Sequence, residues 1–194
     1  MSAVMPLPSC GHSVRERLPD GAEVLLRPLE PEDADLLLEI FDQLGPRSRE
    51  RRFLTPKHTL TSTDLRQLTA VDHHDHEAVV ALSATDRRPV GVARFVRISA
   101  DPGTADVAVV VVDAWQSRGL GTVLASSLLG RARELGVRRF SVLMARDNDA
   151  AVRLMHRVLG EVEQSELNRE TAVFVVSLTT APPARGGRVV LKGA

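Results

Sequence analysis

The stretch from Val107 to Gly121, VAVVVVDAWQSRGLG, limits what this 194-residue chain can fold into. It opens with a nearly unbroken β-branched run, the pattern of a strand buried on both faces. A polar turn follows, Asp113-Ala114-Trp115-Gln116-Ser117, and Arg118-Gly119-Leu120-Gly121-Thr122 then leads into a helical pattern from Val123-Leu124 through Leu128-Leu129 to Leu135. Strand, glycine turn and helix start together form an anion trap. The first N–H groups of a helix have no partner inside it and lie at the positive end of its dipole. Gly119 and Gly121 lack the Cβ that would hold a phosphate away from that backbone.

Two phosphate-binding motifs with similar parts do not fit. A P-loop requires Gly-Lys-Ser/Thr at its end, and no Lys lies here. A dinucleotide fingerprint requires Gly or Ala three residues after Gly121, where Leu124 stands. The order Gln116-x-Arg118-Gly119-x-Gly121 after a valine-rich strand resembles the pyrophosphate-binding loop of the GNAT superfamily, the acyl-CoA-dependent N-acetyltransferases. The segment LRPLEPEDADLLLEIF resembles the first strand and helix of many members. Arg52-Phe53, Leu68-Thr69, Asp72 and His76-x-Ala78-x-Val80-Ala81 resemble the GNAT domain of bacterial Pat-type protein lysine acetyltransferases, over roughly residues 22–178.

Composition agrees with a single globular domain carrying a real core. Apolar residues make up 43%, and acids and bases balance at 25 each, so no broad nucleic-acid or membrane surface is expected. Nearly all the bases are Arg; the only lysines are Lys57 and Lys192. The single Cys10 rules out a disulfide framework. No apolar run approaches the roughly 20 residues of a membrane span, and no secretory signal is expected, so the expected location is cytoplasmic. Oligomeric state stays open between monomer and homodimer.

In order along the chain, residues 1–20 are expected as a flexible arm, 21–179 as one GNAT domain and 180–194 as a flexible tail. A strand is expected at Glu23–Arg27. A helix opening at Pro31 carries Leu36, Leu37, Ile40, Phe41 and Leu44, with Gly45-Pro46 as its stop. Arg47 to Phe53 reads as a solvated helix or loop, or else as a segment bringing Arg51 or Arg52 to an acceptor cleft. A further helix starts from a cap near Ser62 or Thr63. Asp72-His73-His74-Asp75-His76 is contiguous and abuts a strand, so its side chains point in opposite directions; no metal site is expected there. His76–Ala84, Val90–Ile98 and Asp106–Val112 form an antiparallel meander, with a turn at Asp101-Pro102-Gly103. Gly136 stops the glycine-loop helix. Arg139–Met144 is a strand, a helix follows Asn148 and ends at Gly160, and strands Val162–Leu167 and Ala172–Leu178 close the chain. The class is α/β of the α+β type: a mixed, mainly antiparallel sheet flanked by helices, as the GNAT resemblance implies.

Acyl transfer from a thioester to an amine needs a proton acceptor, because a free lysine amine has a pKa of about 10.4. It also needs a donor for the thioester oxygen and a way to hold the long cofactor. Asp106 is the carboxylate expected at the head of the central strand. Resemblance to Pat-type enzymes implies that it is the general base, in the place of a glutamate. It is shorter by one bond, roughly 1.5 Å, which favours an intervening water. The resemblance further implies that acetyl-CoA is the cosubstrate, with backbone groups of Val110, Val111 and Val112 along its pantetheine arm. Gln116, Ser117, Arg118, Gly119, Leu120, Gly121 and Thr122 would bind the pyrophosphate, mainly through main-chain N–H groups. Asn148 would touch the pantetheine, or serve only as a helix cap. Many family members use a tyrosine as general acid; this chain has no Tyr, and Met155 stands near that place. The expected acceptor is a primary amine, in particular a lysine on a metabolic enzyme such as an acyl-CoA synthetase. A small amine acceptor, or an acyl-CoA-binding regulatory module with little turnover, are the other readings.

Overall fold

The strands at the centre of the sheet are apolar on both sides because both sides are covered. β3 (His76–Ser83) and β4 (Pro89–Ile98) are buried along almost their whole lengths. The computed structural model describes residues 13–159 and 162–178. β1 (Val14–Arg17) and β2 (Glu23–Pro28) precede three helices, α1 (Ala34–Asp42), α2 (Pro46–Phe53) and α3 (Ser62–Thr69). After β3 and β4 come β5 (Asp101–Val111), a short 3-10 turn at Asp113–Trp115 and α4 (Leu120–Glu134). β6 (Arg139–Ala145), α5 (Asp149–Val158), β7 (Val162–Leu167) and β8 (Thr171–Ser177) complete the chain. The sheet order is β1-β2-β3-β4-β5-β6-β8-β7, antiparallel throughout except for the parallel pair β5–β6. The expected mixed, mainly antiparallel sheet is therefore present.

Residue parity along the strands sorts the two faces. Val92, Arg94, Ala108 and Val110 share a cavity wall with Leu37, Ile40 and Phe41 of α1. The intervening residues face α4: Glu77 pairs with Arg131 at 3.0 Å, and Leu124 lies against Gly91 and Val111. Helices α1 to α3 thus cover one face and α4 the other. Phe95 and Phe140, with ring centres 6.1 Å apart, fill the core where β4, β5 and β6 meet.

Several boundaries differ from the sequence expectation. The arm expected over residues 1–20 is corrected: Val14–Arg17 pair with β2, and Leu18 is buried in the core. Four residues carry too little alternation to announce a strand, and β1 takes its order from its partner. Pro46 does stop α1, but it also begins α2 at the first helical position. α3 is capped by Thr61, whose hydroxyl accepts from Asp64 N while the Asp64 carboxylate accepts from Thr61 N. The turn after β4 sits at Ser99-Ala100, not at Asp101-Pro102-Gly103, which begin β5 through a register shift beside Ile98. In the His/Asp cluster, Asp72 Oδ1 accepts from the N–H groups of His74, Asp75 and His76 and so builds the turn into β3. Among the described residues no three His, Cys, Asp or Glu side chains converge as metal ligands. No described helix is long and apolar enough to cross a membrane. The helix stop at Gly160, the tail at 180–194 and most of the arm lie outside the described residues.

Candidate functional site

β5 and β6 run side by side only at Thr104–Arg139, Ala105–Phe140 and Asp106–Ser141. Beyond that rung they part, and the gap between Val107–Val111 and Val142–Met144 becomes one wall of a cleft of about 520 Å³. α5 contributes Ala151, Leu154 and Met155, the glycine turn contributes Ser117, Gly119, Gly121 and Thr122, and α2 overhangs with Ser48, Arg51 and Arg52.

Strand parity decides which main-chain groups look into the gap. Val112 N donates to Val90 O at 3.1 Å, and Val112 O accepts from Trp115 N at 2.9 Å. In an antiparallel ladder both polar groups of a residue point to the same side and alternate along the strand. Val112, Val110 and Ala108 therefore turn towards β4, whereas Val107, Val109 and Val111 turn towards the gap. This corrects the expectation for Val110 and Val112: Val110 lines the cleft with its side chain only, and Val112 is buried with both main-chain groups committed. Val107 and Val109 are the residues that sequence reading missed. Their parity relative to a known hydrogen bond was the missing datum, since a run of valines looks the same from either edge.

The glycine turn comes together as expected. Gly119 has φ +93°, and no side chain caps the α4 N-terminus. A Cβ on Gly119 would lie 2.8 Å from Pro19, so backbone conformation and packing both demand glycine there. A Cβ on Gly121 would meet only Leu154 at 3.6 Å and Val111 at 3.8 Å, which are ordinary contacts. Nothing within the protein requires glycine at 121, which lines the cleft. Leu120 is fully buried and offers only its backbone. Arg118 turns out of the cleft, stacks 4.2 Å over Trp115 and donates to Asp20, whose carboxyl this hydrogen bond holds below its ordinary range. Gln116 also faces inward. Its Nε2 lies within hydrogen-bond distance of Val111 O (3.1 Å), Asp113 Oδ1 (3.0 Å) and Ser48 Oγ (3.2 Å). Asp113 in turn accepts from Ser48 Oγ at 2.6 Å and from Gly45 N at 3.0 Å, pinning the start of α2 to the turn.

On the far wall, Asn148 Oδ1 accepts from Ala151 N at 3.2 Å, the helix-cap arrangement, while its side chain lines the cleft. Arg51 spans the opening, donating to Asp147 O at 2.9 Å and Asp147 Oδ2 at 3.2 Å. That pairing holds the Asp147 carboxyl below its ordinary range. Arg51 and Arg52 both line the cleft rather than standing in open solvent. Asp106 is exposed at the apex of the splay, on the α1 face beside half-exposed Val96, and its carboxylate makes no hydrogen bond or ion pair among the described residues. It lies mid-strand; the head of β5 is Asp101, which Arg139 engages at 2.7 Å. Met155 is buried against the cleft, and His156 is exposed outside it.

Residues 23–158 match the model of the acetyltransferase (GNAT) domain. The chain belongs to the GNAT acetyltransferase family. It is 34% identical to acetyltransferase PA5475 of Pseudomonas aeruginosa over 162 residues, covering 82% of this chain and 86% of that protein. It is 32% identical to acetyltransferase Pat of Mycolicibacterium smegmatis over 163 residues, covering 84% of this chain but only 47% of Pat. Among solved structures, the GNAT domain of S. lividans PAT superposes with a TM-score of 0.79 at 23% identity, over 88% of this chain and 99% of that domain. The acetyl-CoA complex of yncA from Salmonella typhimurium gives 0.63 at 20% identity, over 83% and 98%. These two likenesses show the fold. As a GNAT enzyme the protein takes acetyl-CoA as its acetyl donor. The cleft suits that donor in three respects: an unpaired strand edge, an uncapped helix start, and a glycine without internal need.

Proposed function

We propose that the protein transfers the acetyl group of acetyl-CoA to a primary amine, in particular the side chain of a protein lysine, by direct attack on the thioester. The observation that carries this reading is the gap opening at Asp106–Ser141, with an exposed carboxylate at its apex and unpaired main-chain groups along one wall. The main-chain groups of Val109, the C=O of Val107 and the N–H of Val111, whose own O Gln116 engages, hold the pantetheine arm, and a valine N–H meets the negative charge that develops on the thioester oxygen. Ser117 to Thr122 receive the pyrophosphate through their N–H groups, while Asn148 fixes the far wall. Acetyl-CoA supplies the activated carbonyl.

Asp106 removes a proton from the amine through a water, as its short side chain favours. The amine nitrogen bonds to the acetyl carbon, the carbon–sulfur bond breaks, and the second nitrogen proton passes to water, which gives one to the thiolate, since buried Met155 has none to give. The open apex beside Val96 admits an amine mounted on a larger surface, and the similarity to Pat supports a lysine acceptor. Balanced charge over the chain leaves selection to local contacts at the mouth.

The test is to incubate the enzyme and acetyl-CoA with an acyl-CoA synthetase and map acetyl-lysine by mass spectrometry. Site-selective labelling that Asp106→Asn abolishes is expected. Rapid acetylation of a polyamine or aminoglycoside, with only background protein labelling, would replace the lysine reading by the small-amine one.

A further inference from the structure

Behind the cleft, between the sheet and helices α1 to α3, lies a cavity of about 40 Å³, room for one small polar group. Its wall is apolar, with Leu37, Phe41, Phe53 and Leu68, except for Arg52 and Arg94. Arg94 is buried at 7% exposure in the middle of a strand and has one hydrogen bond, to Leu68 O. Arg52 lines both the cavity and the cleft and has no hydrogen bond among the described residues, only the Phe53 ring 5.1 Å away. No described carboxylate pairs with either. Burial lowers both guanidinium pKa values, and Arg52 pushes Arg94 further, to about 9. Burial and then the Arg94 charge lower the pKa of His76, one rung along the same face, and its Nε2 is buried without a partner. Two like charges side by side in an apolar wall are unfavourable unless an anion joins them.

We propose that Arg52 and Arg94 form an anion subsite that receives a carboxylate carried by the amine acceptor. The inference rests on the acetyl-transfer reading of the cleft and adds what the acceptor must look like. Arg94 is paired in register with Ala108, two residues from Asp106 on the same face. That step along a strand is roughly 7 Å between Cα atoms and sets the scale, not the value, of the separation between the carboxylate and the attacking amine. An ω-amino carboxylate such as 6-aminohexanoate or free lysine has a spacing on that scale, as does a protein lysine with an acidic residue close by.

The test compares CoA release with acetyl-CoA on 6-aminohexanoate against 6-aminohexanamide, and on lysine peptides with Asp against Asn beside the lysine. A carboxylate preference of roughly ten- to a hundredfold in kcat/KM, expressed in KM, is expected for charged hydrogen bonds. Arg94→Met and Arg52→Gln remove it, and Arg94→Met, which lines only the rear cavity, leaves the KM for acetyl-CoA unchanged. Which pair shows the preference tells a small acceptor from a protein one. Equal rates on each pair, or a preference that survives in the variants, overturn the proposal. So does a wild-type preference for malonyl-CoA over acetyl-CoA that Arg94→Met abolishes, because the arginines then serve the donor.

Sodium formate, against sodium chloride at equal ionic strength, gives a readout that needs no turnover. A rise in Tm that is lost in Arg94→Met supports the subsite even if no amine is acetylated, an outcome that would count against the transferase reading alone. No rise in the wild type overturns the subsite. Should Arg94→Met fail to fold, Arg52→Gln decides both measurements.

Discussion

Asp106 and Ser141 are the last rung that β5 and β6 share, and the cleft begins one residue later. Main-chain pairing therefore fixes the Cα of Asp106 at the vertex of the gap, and its exposed carboxylate is carried from that point.

Replacing Asp106 by Asn keeps the shape and removes the basicity. Its kcat is expected to fall by roughly 10²- to 10⁴-fold, while acetyl-CoA still raises Tm as it does in the wild type. Asp106→Glu, long enough to reach the amine without a water, is expected to retain activity with an altered pH profile. Steady-state CoA release across pH decides; wild-type turnover in the Asn variant leaves Asp106 as a surface residue.

The two glycines of the turn are expected to fail differently. Gly119→Ala forces a side chain into φ +93° and against Pro19, and loses about 1–2 kcal/mol of stability in urea unfolding. Gly121→Ala meets only ordinary contacts and keeps or gains stability, yet shortens the Tm rise given by acetyl-CoA. Gly121→Glu abolishes that rise, since side chain and negative charge both occupy the phosphate path. An undiminished rise in the Glu variant removes the loop from the binding site.

Asp113 joins the turn to α2 through Gly45 and Ser48. Asp113→Ala releases both and is expected to lose about 1 kcal/mol. Because Gln116 loses a partner as well, the KM for acetyl-CoA should rise more than kcat falls. Steady-state kinetics that leave both constants at wild-type values place the tether outside the reaction.

His73 gives a pH signature away from the cleft. Burial disfavours its charge, but Glu77 at 2.9 Å and Glu30 at 3.5 Å outweigh it and raise the pKa above 6.5. A raised histidine stabilises the fold fully below its unfolded value and loses that contribution as pH rises through the folded value. The stability difference between wild type and His73→Gln should be greatest just below pH 6.5 and shrink above it. Urea midpoints measured across that range check the sign.

Much of this was legible in the sequence, because it is local. Valine-rich β5, the cap at Asn148, the cap of α3 to within a residue or two (Thr61 in place of Ser62 or Thr63), and the Gly119–Gly121 turn each depend on residues a few positions apart. Parity against β4 was not, so Val110 and Val112 stood in for Val107 and Val109. Nor was the start of β5, since Pro102-Gly103 looks like a turn until Ile98 is seen to pair with Asp101. Arg94 left a signal that went unread: a lone charge inside PVGVARFV, where both neighbours are buried, requires something to face. The convergence of Arg52 with Arg94 joins residues of α2 and β4, and no spacing rule along the chain links them.

The gap between β5 and β6 also bears on how the protein keeps to itself. An unpaired strand edge at the rim of a sheet invites another chain to add a strand. Here the open edge lies inside an eight-stranded sheet, with β4 behind one side, β8 behind the other and α2 overhead. The unpaired backbone groups of the gap are thereby kept away from the rim of the sheet, where β1 and β7 are the edge strands.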